Sequence, residues 1–524
     1  MAVGLHKRSV KESNIMRKNA AEYAVKELLS GRTDMHRIKQ EASKKFHLHN
    51  FLRNSEILEF LPKSASQKIR RLLLKRPMRT ASGVTPVALM IKPENSCPFS
   101  CIYCPFTGKA AKSYTGEEPA ALRARQFGFD AYKQVQGRLT HFRETGHPTD
   151  KCEAILMGGT FLSMPRDYKR KFVKGLYDGF NGSISRNLAH AKHINETAKN
   201  RVIGLTIETR PDVCKKTHID EMLEYGATRV ELGVQFPSNE IYKKIRRGHT
   251  VKDVINATKW LKDSSFKICY HIMPGLPGSS PEKDINMVKS LFTNPNFKPD
   301  MLKIYPTLVM PNTELYKLME RGEYVPYNAH QAAEVISEFY RYIPSWVRVM
   351  RIQRDIPTGL IGAGVEKSNL RELVESKITE KGISSREIRA REVGRKTFVN
   401  AQLIRVEYDA SNGKEIFLSF ESQRSLIGFI RLRIPHSPFR KEITSDTALI
   451  RELHIYGSET GIGKHGKSAQ HRSYGALLLK EAERIAKEEF NKTEMIIISG
   501  VGARQYYFKK GYSCKGPYVA KRLK

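Results

Sequence analysis

Three cysteines at a Cys-x3-Cys-x2-Cys spacing, Cys97, Cys101 and Cys104, follow directly on the apolar run Val87-Ala88-Leu89-Met90-Ile91. A short continuous apolar run bounded by turn residues predicts a buried strand. The loop leaving it can bring all three thiols onto one face. Three soft thiolates suit three irons of a [4Fe-4S] cluster and leave the remaining iron open to an outside ligand. The alternative, a structural zinc loop, wants four Cys or His ligands, and no fourth follows nearby.

That placement asks for an architecture in which sites form at the carboxyl ends of strands. From 85 to 357 the chain alternates short apolar runs with amphipathic segments, the pattern of repeated β-α units with parallel strands. Strands are predicted at Val87–Ile91, Ala154–Met157, Val202–Ile207, Arg229–Val234, Ile268–Met273 and Leu302–Tyr305. The fold class is therefore α/β, a partial (β/α)6 barrel whose ligand loops gather at the strand ends.

Several strand ends carry site-like residues. Gly158 and Gly159 in Met157-Gly158-Gly159-Thr160 remove side chains where a ligand backbone can come close, although a tight turn reads the same way. Glu208 and Arg210 end the third strand and can bind hydroxyls and a carboxylate, or simply pair with each other. Gln235 closes the fourth strand as a cofactor-facing position, and Pro274-Gly275-Leu276-Pro277-Gly278 makes a rigid turn after the fifth. Lys303, ending the sixth strand with Tyr305, is placed for substrate contact and catalysis, with packing at the core rim as the alternative.

Beyond 398 the pattern changes to neighbouring strands, Asn400–Tyr408, Glu415–Glu421, Leu426–Ile434 and Ala448–Tyr456. A helix near Tyr474–Phe490 and the strand Met495–Ser499 follow, giving an α+β domain. Gln470-His471-Arg472-Ser473-Tyr474-Gly475 precedes that helix, where backbone amides can accept a pyrophosphate. The loop resembles the acetyl-CoA loop of the GNAT acetyltransferase fold, Gln-x-x-Gly-x-Gly, with Ser473 at the first glycine position. Tyr506 and Tyr507 resemble the acetyl-CoA-facing end of that fold, and aromatic packing accounts for either tyrosine equally well.

Against 54 acidic residues stand 90 Lys and Arg, a formal net charge of +36, so a polyanion is the expected partner and RNA the leading one. The organisation expected is a basic helical RNA-binding segment at 1–80, the barrel domain at 81–357, a charged helical connector at 358–397 and the α+β domain at 398–524. Seven cysteines, an odd number, make no disulfide framework and suit a reducing cytoplasm. No apolar run reaches the 18 residues of a membrane span, and the amino terminus lacks a signal core.

Together the motifs resemble two nested families. The cysteine spacing, with Tyr103 before Cys104, resembles the radical S-adenosylmethionine (SAM) superfamily. Ser113–Pro119, Met157–Phe161, Tyr270–Gly278, Lys303–Leu308, Arg391–Gly394, Glu452–Gly457 and Tyr506-Tyr507 resemble the catalytic subunit of the Elongator complex in its archaeal form.

The resemblance implies a tRNA wobble-uridine enzyme that uses SAM-derived radical chemistry and acetyl-CoA to form 5-carboxymethyluridine. Cys97, Cys101 and Cys104 would hold the cluster. Gly158, Gly159, Glu208 and Gln235 would face SAM, and Gln470, Ser473, Gly475, Tyr506 and Tyr507 would face acetyl-CoA. Lys303, Tyr506 and Tyr507 would serve catalysis. It also implies tRNA as partner, with Elongator-like subunits and a homodimer both open. Relatives carry cysteine where Ser385 stands, so a structural zinc in the connector is not expected on the same ligands. A protein lysine acetyltransferase and a non-catalytic tRNA-binding scaffold are the rival functions.

Overall fold

A computed structural model describes residues 2–62, 64–74, 83–94, 97–393, 400–423, 425–456 and 474–524. The chain divides into two compact units, Met1–Thr85 with Gln136–Lys151, and Pro86–Val135 with Cys152–Lys524.

The first unit contains helices Ala2–Leu29, Met35–Lys45, Asn54–Phe60 and Gln67–Leu73. Alanines at Ala20, Ala21, Ala24 and Ala42 let these helices approach closely around Leu28, Ile38, Ile57 and Leu73. The Asp34 carboxylate accepts from the His36 and Arg37 amides and so starts the second helix. The helical organisation expected of the first 80 residues is thus present as far as Leu73, while 75–82 lie outside the described residues.

The second unit holds two sheets. The first runs β1 (Thr85–Met90), β2 (Lys151–Met157), β3 (Arg201–Thr209), β4 (Arg229–Gln235), β5 (Lys267–Ile272), β6 (Met301–Ile304) and β7 (Arg348–Ile352), paired in chain order. Pairing is parallel from β3 to β7. This is the predicted partial barrel extended by a strand, β7, whose arginines Arg348 and Arg351 hid it from an apolar-run reading. Ile207, Val230, Leu232, Ile268, Ile272 and Leu302 are buried in the core. On the opposite, inner face lie Glu208, Glu231, Cys269, His271 and Lys303, in register across neighbouring strands.

The other sheet contains β8 (Gln402–Ala410), β9 (Gly413–Ser422), β10 (Ser425–Ile434), β11 (Thr447–Ile455), β12 (Glu494–Ile497), β13 (Ser513–Lys515) and β14 (Tyr518–Arg522). Its order is β13-β14-β12-β11-β10-β9-β8, antiparallel except for the parallel pair β11–β12. Helix Tyr474–Glu488 packs Leu478, Leu479, Ala482 and Ile485 onto the apolar face of this sheet. The β11–β12 pairing ends at Ile450↔Ile497 while β11 continues to Ile455, so the two strands part on the side where that helix begins. The hairpin β13–β14 was not foreseen, because its strands are short and Ser513 and Cys514 are exposed.

The two sheets are joined by buried charge. Arg451 donates to both oxygens of Asp300 at 2.7 and 2.6 Å, to Glu415 at 2.8 Å and to the Phe266 carbonyl at 2.7 Å. Arg433 pairs with Asp263 at 2.6 Å and Glu415 at 2.9 Å, and Arg431 with Glu452 at 2.9 Å. Gly500 and Gly502 press this contact. A Cβ on Gly500 would fall inside van der Waals contact of the Ile203 carbonyl, and one on Gly502 would lie 2.5 Å from the Arg201 Cβ.

The segment between the sheets carries helices Leu370–Glu380 and Ile388–Arg391. Arg391 reaches the Ser345 carbonyl at 2.6 Å and Glu421 at 2.7 Å, tying the connector to both. The Ser385 hydroxyl is buried with no hydrogen-bond partner. Among the described residues no helix is long and apolar enough to cross a membrane.

Candidate active site

The cysteine loop leaves β1 at the carboxyl edge of the barrel sheet. Ile102 pins it by donating to the Ile245 carbonyl at 3.2 Å and accepting from the Leu315 amide at 3.0 Å. The Cys104 amide closes a turn on the Cys101 carbonyl at 3.1 Å. Tyr103 is buried, its hydroxyl unpartnered, so the ring anchors the loop by packing.

Two guanidiniums approach one thiol. Arg247 lies 3.4 Å and Arg210 3.6 Å from the Cys101 Sγ. Burial alone would push that thiol up, but the two cations outweigh it and hold its pKa below the ordinary thiol value. At Cys104 the cations lose: burial, with the neighbouring Cys101 and Cys97 sulfurs adding to it, outweighs Arg354 and Arg247 and pushes Cys104 up to about 12. The Thr160 hydroxyl stands 3.4 Å from the Cys97 Sγ.

Arg210 is fixed by both Asp212 oxygens at 3.0 Å and by the Phe99 ring, whose centroid lies 3.5 Å from its guanidinium carbon. Arg247 also donates to the Gly233 carbonyl at 2.6 Å. Three soft sulfurs carried on one loop, with two fixed cations beside Cys101, fit the thiolate set of an anionic iron–sulfur cluster.

Gly158 and Gly159 both take positive φ, 127° and 56°. A Cβ on Gly158 would sit 2.6 Å from Ile91 Cγ1 and 3.1 Å from Ala111, so the glycine lets β2 close on the start of the cysteine loop. Thr160 is thereby delivered to Cys97. Gln235 has φ 65° at the end of β4, and its Oε1 is buried without a partner.

Below the loop the inner face of the barrel carries one continuous charge network. The Tyr114 hydroxyl donates to Glu208 at 2.9 Å, and Lys303 lies 3.6 Å from Glu208 and also pairs with Glu231. His271 Nε2 is 2.8 Å from the same Glu231 oxygen. Arg229 is 3.4 Å from the other oxygen and 2.7 Å from Glu153.

Burial would strip Lys303 of its proton, yet Glu231, then Tyr305 and Glu208, more than compensate and hold its pKa above the ordinary lysine value. Burial likewise opposes ionisation of Glu231, but Lys303, His271 and Arg229 hold it well below the usual carboxylate range. Lys303 is therefore a fixed ammonium rather than a free amine. Donor atoms of Glu231, Cys269 and His271 lie within 4.8 Å of one another, a spacing open to a metal ion. Lys303 and Arg229 already pair with Glu231, and their charge disfavours a cation there.

In the second sheet, Gly475 lies at the first turn of helix Tyr474–Glu488. A Cβ on it would come 3.2 Å from the Tyr506 hydroxyl and 3.5 Å from Ile455, so Gly475, Tyr506 and the parted end of β11 meet. Tyr506 is 41% exposed, whereas Tyr507 belongs to the core cluster with Tyr512, ring centroids 6.0 Å apart. Gln470 and Ser473 lie outside the described residues.

Glu208 and Lys303, predicted as separate strand-end features, are thus brought together, as are Gly475 and Tyr506. Arg247, Arg229 and His271 were not singled out by sequence. Arg247 sits in a run of cations, Arg246-Arg247-Gly248-His249, which reads as a solvated turn. His271 carries the detectable signal, since it shares a strand face with Cys269 two residues earlier and aligns with Lys303.

Comparison with known proteins was consistent along the chain. Models of the radical SAM superfamily, the Radical_SAM C-terminal domain and the ELP3 N-terminal domain match residues 91–291, 299–380 and 17–81. A tRNA uridine(34) acetyltransferase of Methanocaldococcus infernus is 48% identical over 525 residues, covering 96% of this chain and 98% of the relative. The Homo sapiens Elongator complex protein 3 is 40% identical, covering 94% and 93%. The solved structure of the archaeal Methanocaldococcus infernus Elp3 with an N-terminal deletion superposes with a TM-score of 0.76 at 47% identity. It covers 85% of this chain and 100% of that one.

Proposed function

We propose that this chain, which belongs to the family of tRNA uridine(34) acetyltransferases and Elongator complex protein 3, forms 5-carboxymethyluridine at the wobble position of tRNA from SAM and acetyl-CoA. The observation that carries this reading is the cysteine loop itself, with Arg210, Arg247 and Thr160 aimed at its sulfurs above the charged inner face of the partial barrel.

Cys97, Cys101 and Cys104 would hold three irons of a [4Fe-4S] cluster. With SAM at the open iron, such a centre supplies the 5′-deoxyadenosyl radical that takes hydrogen from the acetyl methyl group, and the carbon radical adds to C5 of uridine before thioester hydrolysis. The chain's own residues supply position and electrostatics. Arg247 and Arg210 balance negative charge at Cys101. Gly158, Gly159, Glu208 and Gln235 border the space beside the loop and are read as the SAM side.

Lys303, doubly ion-paired and buried, presents a fixed positive charge to a polarised carbonyl and accepts no proton. At the second sheet the parted β11 and β12, Gly475 and the Tyr506 hydroxyl are read as the acetyl-CoA side. A net charge of +36 favours the tRNA backbone, and phosphate contacts of this kind position rather than specify.

Cysteines outside any disulfide, Cys152, Cys214, Cys269 and Cys514 among them, suit the reducing cytoplasm. The relatives' name, Elongator complex protein 3, points to assembly with further subunits. The test is anaerobic reaction of the reconstituted protein with SAM, a reductant, acetyl-CoA and tRNA. Cys101→Ala is expected to abolish 5′-deoxyadenosine and modified uridine together. Modified uridine formed by that variant would overturn the proposal.

A further inference from the structure

We infer that His271, held in orientation by Glu231, is the proton acceptor that takes the C5 hydrogen of the uridine adduct. The inference rests on the function proposed above and names a step that it leaves without a residue. Once a carbon radical has added to C5, the adduct carries a hydrogen on C5 and an unpaired electron on C6. Restoring the ring double bond requires the C5–H bond to break. Of the three electrons then available, two make the new π bond and one passes to a one-electron acceptor of the iron–sulfur class. The proton needs a base.

The lumen offers few. Lys303 is an ammonium paired with two carboxylates. Arg229 and Arg351 accept nothing. Tyr114 and Tyr305 are buried phenols whose pKa burial raises, and burial raises that of Cys269 as well. Of the carboxylates, Glu208 is occupied by the Tyr114 hydroxyl and Lys303, and Glu153 by Arg229. Glu231 is ion-paired to Lys303 and Arg229 and bonded to His271, and these neighbours hold it well below the usual carboxylate range, a poor proton acceptor.

His271 is different. Its Nε2 faces an ionised carboxylate, which can only accept, so in the neutral ring Nε2 carries the hydrogen and Nδ1 the lone pair. A carboxylate behind an imidazole fixes the tautomer and stabilises the cation formed on proton uptake. The ring is further held edge-on to Tyr305, centroids 5.3 Å apart, and its side chain keeps 14% exposure. His271 is the next-to-last residue of β5, beside Lys303 on β6 and toward the carboxyl ends of the strands, where the cysteine loop lies.

The experiment uses full-length reconstituted protein and tRNA carrying deuterium at C5 of the wobble uridine, with His271→Ala and His271→Gln compared with wild type. Removing a general base lowers the rate of modified-uridine formation by about 10²–10⁴-fold, and 5′-deoxyadenosine should still form. A deuterium isotope effect on product formation should appear in both variants. Added imidazole should restore rate to His271→Ala and not to His271→Gln.

Fluorescence of Trp346 and tRNA binding, unchanged in both, establish that the fold is intact. Product rates within threefold of wild type, or a rate loss without isotope effect or imidazole rescue, would overturn the assignment and leave His271 as packing for Tyr305. Wild type that cleaves SAM but makes no carboxymethyl product would overturn the proposed function, and this inference with it. That outcome is separate from failure of the variants alone.

Discussion

Replacing Arg451 by methionine puts the junction of the two sheets to a quantitative test. Its guanidinium holds Asp300 through two hydrogen bonds of 2.7 and 2.6 Å and Glu415 through two of 3.1 and 2.8 Å, and both carboxylates are fully buried. Arg433 still donates to Glu415 at 2.9 Å, and Lys262, 3.9 Å from Asp300 and 3.5 Å from Glu415, and Arg431, 3.7 Å from Asp300, remain as cations. None of them replaces the hydrogen bonds lost at Asp300. Removing one partner of a buried pair costs about 3–5 kcal/mol, because the other charge is left uncompensated.

Against the 5–15 kcal/mol that is roughly typical of folded domains, such a loss is large. Trp346 reports on it, since its ring stacks on Tyr408 of β8 with centroids 4.0 Å apart. The chain has two tryptophans, so Trp260→Phe makes Trp346 the only one. The urea midpoint of Trp346 fluorescence should fall sharply in Arg451→Met at neutral pH.

The sign with pH is specific. In wild type, burial would raise Asp300, but Arg451, Lys262 and Arg431 hold it far below the usual range. That contribution is present above the unfolded carboxyl pKa, about 3.9, and is lost as pH falls below it. In the variant, burial is offset less, the two carboxyls rise, and the folded state gains stability as they take up protons. The deficit should therefore shrink from pH 7 to pH 5. An unchanged midpoint, or a deficit independent of pH, would refute the reasoning.

Other outcomes follow from single contacts. Gly500→Ala drives a methyl group into the Ile203 carbonyl and should cost about 1–3 kcal/mol by overpacking, read by the same urea titration. Tyr506→Phe removes the hydroxyl over Gly475 and should weaken acetyl-CoA binding by calorimetry, by about 0.5–1.5 kcal/mol for one hydrogen bond. Tyr507→Phe should leave that affinity unchanged, since Tyr507 packs in the core.

Asp284 accepts from the Gly275 amide, Ser279 and Tyr327, and burial nevertheless pushes it up to about 6. Its raised pKa favours the folded state at low pH, an advantage lost as pH rises through 6. Asp284→Asn should flatten the stability profile between pH 4 and 7.

Much of this architecture is written locally. The apolar runs of β3 to β6 are short-range signals, and each falls where its pattern predicts. The cysteine loop is equally local. What sequence does not carry is which charges share a face across strands. Glu231 and His271 are 40 residues apart and meet only because β4 and β5 pair in register. Arg247 reaches Cys101 across 146 residues by way of the β4 end, where Gly233 leaves room for its guanidinium. Tyr506 and Tyr507 look alike in sequence, yet one faces outward and the other fills the core. The short helix that carries them decides which does so.

Mass spectrometry of the wobble nucleoside after anaerobic reaction with SAM, reductant, tRNA and acetyl-CoA labelled with carbon-13 in both acetyl carbons tests the central claim most directly. The account predicts 5-carboxymethyluridine carrying both labelled carbons, formed by wild type and absent with Cys101→Ala. An unmodified uridine, or the same labelled product from the Cys101 variant, would contradict it.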